Sequence, residues 1–350
     1  MNEKRKALII LTPGFPKDEQ DTTCIPFLQD YVKALAYIHP EIKVSVLAFQ
    51  YPFKKSTYKW NLADIYSAGG GTKYLNRIFV WMRIYNRLKR LHRENTIITV
   101  HSFWLTECTL IAQRFCKRTG IKHVAYAVGQ DVLKRNKYLP LLDYLSMKVV
   151  AMSESIAKKF KEQTGQNLQY IIPSGVNTNI IGSNNNKRDI DIIGIGALTP
   201  LKNYNLFIDI INSLKANFPN IKTRIIGKGE LENALKDKIT AEGLEGNVKL
   251  EGELPHKDVF SYLVRSKIFL HTSSYEGQST VISEALACGL NVICFDVGRI
   301  DIKTKINVCT DKSEMIKTIK ELLSSNLTYE PALFRTPGDM VKDFMKVYEE

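Results

Sequence analysis

The feature that most constrains this chain is a recurring unit: a short run of β-branched and other apolar residues, a turn rich in glycine or proline, then a helix-length segment with apolar residues three and four apart. In the first half the apolar runs fall at 6–12, 42–49, 96–100, 122–128, 148–152 and 170–172. In the second they fall at 191–196, 223–226, 248–250, 268–271 and 291–295. Runs of this length with such punctuation read as buried strands, and strands alternating with helices predict βα units with mostly parallel sheets. At 350 residues and 44% apolar, the chain is long enough for two such domains, each with its own core. Disordered and fibrous classes are excluded. The stretch 182–188, GSNNNKR, has the composition of a linker and sets the expected domains at 1–182 and 183–336, with a terminal helix at 337–350.

In open α/β sheets, ligands gather outside the carboxyl ends of the strands. The stretch Ser273 to Gly298 has that place and the richest chemistry. Glu276 and Glu284 are its carboxylates before Asp296, and eight positions apart they do not share a continuous helix face. Glu276 is expected in a loop and Glu284 in the helix after it. Gly277, Gln278, Ser279 and Thr280 then fall at the helix start, where unpaired N–H groups favour an anion. Two acceptors around such a nest would suit a sugar nucleotide. Lys202, in the loop after the strand at 191–196, could neutralise a diphosphate, and the Gly227-Lys228-Gly229 turn lets backbone approach a ligand. Taken singly, Lys202 reads better as a solvated surface lysine, and the glutamates as capping or solvated groups. His101 closes the run at 96–100, though a hydrogen-bonded core imidazole is an equal reading. The turns at Gly14, Gly129 and Gly175 need glycine in any case.

Charge is unevenly distributed. The net +13 arises in residues 1–175, which hold 27 Lys and Arg against 13 Asp and Glu; residues 176–350 hold 22 against 23. A field of this sign attracts anionic surfaces, although a plain lysine-rich surface is the alternative. The helix expected from Lys73 to Arg93 carries Arg77, Arg83, Arg87, Lys89 and Arg90 with Phe79 and Trp81 on its apolar side. That composition suits either an anionic membrane surface or an ordinary helix with a solvated basic face. Residues 50–71 read as irregular. The apolar run near the amino terminus is too short for a membrane span, and the six cysteines form no CxxC pair. Those two readings predict a reduced, cytoplasmic protein without structural zinc.

The segments IGALTPLKNYNLFIDII, IIGKGE, VKLEGELPHKDVFSYLVRSKIFLHTSSYEG and the E-x7-E stretch resemble the glycosyltransferase family 4 enzymes, group 1 type transferases of the two-domain GT-B fold. The likeness is weaker in VVAMSESIAKKF and YIIPSGVNTNI and covers about two-thirds of the chain; the amphipathic terminal PGDMVKDFMKVYEE resembles the family's closing helix, which implies that 337–350 crosses back onto the first domain. It implies two Rossmann-like domains facing a central cleft, a retaining reaction without a metal, and no cofactor beyond a UDP- or GDP-linked sugar as substrate. By position, Glu276 would hold donor-sugar hydroxyls, Glu284 the ribose and Lys202 the diphosphate, with Gly277 to Thr280 beside them. Gly196, Ala197, Gly227 and Gly14 complete the expected donor site. Gly129 and Asp131 stand on the acceptor side. His101 joins Glu276 and Lys202 as a catalytic candidate because the family's HGxD loop here reads Val128-Gly129-Gln130-Asp131. Ala197 occupies the place of a phosphate-clamping arginine. The implied partners are a nucleotide-sugar donor and a lipid-linked or polysaccharide acceptor of cell-surface glycan synthesis, not nucleic acid. The two departures also admit a nucleotide-sugar-binding subunit without turnover. An epimerase on the related scaffold fits less well, its acid/base histidines not being evident.

Overall fold

The computed structural model describes residues 4–71, 77–181, 187–297, 305–332 and 335–350, which form two compact units: 1–175 with 335–350, and 176–334. The chain passes between them at Gly175/Val176, ahead of the expected boundary at 182. Val176 belongs to the second unit's apolar core, and Ile180 and Ile181 pack against that core. Most of the linker-like stretch, 182–186, lies outside the described residues, as do Lys73, Tyr74 and Gly298.

The first unit runs β1 (Lys6–Gly14), α1 (Pro26–Ile38), β2 (Lys43–Tyr51), β3 (Ser56–Trp60), β4 (Ala63–Ser67), α2 (Arg77–Glu94), β5 (Thr96–Phe103), α3 (Glu107–Thr119), β6 (His123–Ala127), β7 (Lys148–Ala151), α4 (Glu154–Thr164) and β8 (Tyr170–Ile171). Its sheet order is β3-β4-β2-β1-β5-β6-β7-β8, parallel except for the β3–β4 pair. β1 is buried along most of its length because helices cover both faces, which is why it reads as one apolar run rather than an alternation. The β3–β4 hairpin corrects the reading of residues 50–71 as irregular. Tyr58, Trp60, Ala63 and Ile65 alternate across it, and Asn61 turns the chain with φ 49°. His101 also moves. β5 continues to Phe103, so the histidine lies within a strand and not at its end.

The second unit runs β9 (Ile190–Ile195), α5 (Tyr204–Lys215), β10 (Thr223–Ile226), α6 (Glu232–Ala241), β11 (Val248–Gly252), α7 (His256–Leu263), β12 (Ser266–His271), α8 (Thr280–Ala287), β13 (Asn291–Cys294), β14 (Ile306–Val308) and α9 (Lys312–Leu323). Its sheet is wholly parallel in the order β11-β10-β9-β12-β13-β14. The chain then returns to the first unit as α10 (Pro337–Glu349), opened by a capping box between Thr336 and Asp339. Phe344 and Tyr348 of α10 enter the first unit's core. The close approach at the return explains Gly175: a Cβ there would stand 2.3 Å from the carbonyl carbon of Thr336.

Candidate active site

In the second unit the chain builds β9, β10 and β11 outward in one direction, then crosses to β12 on the other side of β9. β9 and β12 are therefore the neighbours at which the strand order reverses, the place where open α/β sheets bind ligands beyond their carboxyl ends. Lys202 comes from the β9 loop and Glu276 from the β12 loop. Pro200 opens a single 3-10 turn that ends at Lys202, and Asn203 in left-handed backbone redirects the chain into α5. The two loops are tied together. Ser274 N–H donates to Leu201 O at 3.0 Å, and the Thr272 hydroxyl donates to Lys202 O at 2.9 Å.

On that frame the Lys202 ammonium donates to Glu276 Oε1, and the same oxygen lies 3.2 Å from His271 Nε2. His271 is the last residue of β12 and only 3% exposed. Ser279 Oγ lies 3.3 Å from the same ring nitrogen, and Nδ1 is buried without a partner. Burial alone would raise the pKa of Glu276. The hydrogen bond from His271 and the charge of Lys202 outweigh it and hold the carboxyl at about 2. Burial pushes the imidazole of His271 below its ordinary range, Glu276 offsetting part of this. The ring is thus neutral and its Nε2–H serves as donor to an ionised carboxylate. The hydroxyl of Tyr204 is pushed up by burial and by the same carboxylate, so it stays protonated.

The neighbouring loops complete the rim. Gly227 directly follows β10 with φ 148°, and a Cβ there would fall 1.9 Å from the carbonyl oxygen of Gly196, so glycine alone lets these two strand ends close up. Ala197 is exposed between them. Gly277, Gln278 and Ser279 lead into α8, of which Thr280 is the first residue. Glu284 lies in the second turn of α8 but outside the Lys202–Glu276 network. Its Oε1 is 2.8 Å from Nε2 of His256, the first residue of α7.

The first-unit candidates separate. Gly14 closes β1 beside Tyr51 and Cys24. Asp131 is 4% exposed and accepts from the N–H groups of Leu105 (2.8 Å), Gly129 (2.6 Å) and Val128 (3.2 Å), so its carboxylate organises this loop from within. His101 is fully buried. Its Nδ1 lies 2.6 Å from the Tyr348 hydroxyl, its ring packs against Phe103 and Phe344, and burial pushes its pKa well down. The core-imidazole reading is the one this geometry fits, because a ring enclosed on all sides reaches no substrate.

Residues 176–326, nearly the whole second unit, match the model of glycosyl transferases group 1. Through its second unit the chain resembles that family. A phosphatidylinositol N-acetylglucosaminyltransferase polypeptide from Arabidopsis thaliana is 27% identical over 169 residues, which cover 46% of this chain and 38% of that protein. The chain therefore spans well under two-thirds of that relative. Sucrose-phosphate synthase from Thermosynechococcus elongatus has a TM-score of 0.73 at 14% identity, with 98% of this chain and 95% of that one covered. Anabaena HepE, solved in complex with UDP, has a TM-score of 0.67 at 14% identity, again covering 98% and 95%. These likenesses are of fold, and they give the whole chain the GT-B class expected from its sequence.

Within this unit, sequence reasoning missed His271 and His256. His271 had a readable signal: it ends an apolar run five residues before Glu276. His256 had none, since only folding brings α7 beside α8.

Proposed function

We propose that this chain transfers a sugar, with retention, from a nucleotide-sugar donor to a lipid-linked or polysaccharide acceptor. The observation that carries the reading is the Lys202–Glu276–His271 cluster at the switch point of the family-matched unit. In the free protein the ammonium of Lys202 is held by Glu276. A donor diphosphate, with more charge and three-dimensional freedom to present its oxygens, takes that ammonium over. Glu276 then turns its freed lone pairs to donor-sugar hydroxyls, with His271 fixing its other contact. Glu284 performs the matching exchange, leaving His256 for the ribose hydroxyls. The departing diphosphate is stabilised by Lys202 and the amino end of α8, and on the front face it helps remove the acceptor's proton. Of the UDP- and GDP-linked donors expected from the sequence, the UDP-linked one is supported by HepE having been solved with UDP. The naming of phosphatidylinositol in the Arabidopsis relative supports a lipid-borne acceptor.

Release of free nucleotide from a panel of UDP- and GDP-sugars, with and without crude lipid acceptor, tests the reading. Turnover with one donor supports it; failure to bind or cleave any donor refutes it. One observation favours a second reading, a donor-binding protein without turnover: His101, the histidine meant to stand in for the one missing at Val128, is enclosed in the core. Calorimetry showing donor binding while every acceptor leaves it intact would select that reading.

A peripheral position on an anionic membrane is part of the same proposal. No helix among the described residues is long and apolar enough to cross a membrane. α2 instead exposes Ile78, Phe79 and Met82 at its amino-terminal end, amid arginines.

A further inference from the structure

We infer that the first unit holds a pyranose-binding pocket at the switch point of its own sheet, with Trp104 as the ring platform and Glu107 as the hydroxyl acceptor. The first unit's sheet reverses at β1 and β5, just as the second unit's does at β9 and β12. Beyond the carboxyl ends of β1, β2 and β5 lies a cavity of about 340 Å³, lined by Ile25, Gln50, Arg77, Trp104, Glu107 and Tyr138 among others. That volume accommodates one to two sugar rings. Two of its wall residues, Ile25 (φ 52°) and Trp104 (φ 65°), hold left-handed backbone. A β-branched residue and a tryptophan keep that conformation only where the surroundings enforce it, and such positions gather at ligand sites.

The polar groups are few and fixed. Glu107, 4% exposed, is the first residue of α3; its Oε1 accepts from Gln50 Nε2 at 2.9 Å and its Oε2 from Trp81 Nε1 at 2.8 Å. Each oxygen retains a second lone pair. A buried carboxylate held by two neutral donors, on the wall of a mainly apolar cavity, suits a ligand with an apolar face and hydroxyls at its edge. A pyranose has that form. Arg77, which donates to the Tyr138 hydroxyl at 3.1 Å, adds a cation for a phosphate or carboxylate on the same ligand. Naming this ligand the acceptor rests on the transferase reading, whereas the pocket's affinity for a pyranose does not.

The test uses saturation-transfer NMR and titration calorimetry on the full chain. Probes are methyl and octyl glycosides of glucose, galactose, mannose, N-acetylglucosamine and N-acetylgalactosamine, and the matching glycosyl 1-phosphates. At least one pyranoside is expected to bind, with saturation strongest on one ring face. Glu107→Gln, isosteric and able to accept from Trp81 through its amide oxygen and to donate to Gln50 once that amide flips, should weaken it at least tenfold, and Trp104→Ala should weaken it at least as much. Arg77→Gln should weaken only the 1-phosphates. Octyl over methyl preference assigns a lipid-borne glycan, and equal affinity a free one. Binding of no probe, or equal binding by wild type and Glu107→Gln, overturns the inference. UDP affinity measured in parallel separates the two claims: with UDP bound and no glycoside bound, the pocket assignment alone fails. If instead glycosides bind and UDP does not, the donor-site reading fails. Should Trp104→Ala not fold, the ring-face pattern on wild type and the Glu107→Gln comparison still decide.

Discussion

Glu276 holds two nitrogen partners on one oxygen, and each makes a separate demand on its variants. Replacing it with glutamine removes the charge that Lys202 neutralises. Glu276→Gln should therefore lose transfer by a factor of at least 100 while binding UDP as tightly as wild type or more tightly, because the ammonium is no longer occupied. Initial rates and calorimetry check both halves, and loss of UDP affinity would contradict the exchange described for Lys202. The same residue predicts a pH dependence of stability. Its carboxyl titrates at about 2 in the folded chain against an ordinary 4.5, so its contribution is fully present above about pH 4.5 and is lost as pH falls towards 2. At about 1.36 kcal/mol per pH unit, that contribution is on the order of 3 kcal/mol. His271, whose folded pKa is also lowered, acts with the same sign: its stabilisation is present above its unfolded value near 6.5 and falls away below it. In urea titrations the margin of wild type over Glu276→Gln should shrink steadily from pH 5 to pH 3. An unchanged margin would mean that the carboxylate is not held by these partners. At this scale the sequence was legible where chemistry is local. Glu276 and Lys202 were found from their loops, whereas the pairing of Glu284 with His256 depends on a helix 28 residues away and left no trace in spacing.

α10 shows what one element contributes to a unit it reaches from the far end of the chain. Phe344 is fully buried against Tyr31, His101 and Tyr126, with ring centroids 5.6, 4.6 and 5.1 Å away. Tyr348 bonds both Tyr31 and His101, and Lys122 and Lys148 donate to carbonyls of its last turn, where cations complement the helix dipole. Phe344→Ala should cost the first unit about 3–5 kcal/mol. Thr336→Ala, which removes the capping box, should cost about 1 kcal/mol. Thermal melts that showed the two variants equally mild would contradict the core role of α10. The periodicity of 337–350 made this helix readable, and the resemblance supplied its return to the first domain. The partners were not readable, and His101 was misplaced because a strand expected to stop at Val100 runs on to Phe103. β3 and β4 were missed for another reason: their alternation is interrupted at Asn61-Leu62, and an antiparallel hairpin is the exception in a parallel sheet.

Across the whole molecule, the excess of positive charge belongs to the first unit, and the structure shows which parts of it are available to a surface. Arg83 donates to Ala68 O at 3.0 Å, Arg87 stacks on Tyr66 at 5.5 Å, and Arg90 pairs with Glu94. Reversing those charges would disturb the fold along with any surface. The exposed Ile78, Phe79 and Met82 give the cleaner test, since they lie 66, 59 and 48% open to solvent. Changing all three to serine should at least halve flotation with anionic liposomes and leave the melting temperature within about 2 °C; undiminished flotation would remove α2 from the membrane claim. The fold class and the meeting of the Lys202 and Glu276 loops were legible at this scale because repeated βα units and the E-x7-E stretch state themselves locally. The first unit's cavity was not, because it draws Ile25, Gln50, Arg77, Trp104, Glu107 and Tyr138 from distant parts of the chain. The most direct test of the donor site is nucleotide release from a panel of UDP- and GDP-sugars by wild type and by Glu276→Ala. If the chain transfers a sugar through Lys202 and Glu276, as proposed, wild type releases nucleotide from one donor and the folded variant does not. Equal release by both proteins would contradict the assigned site.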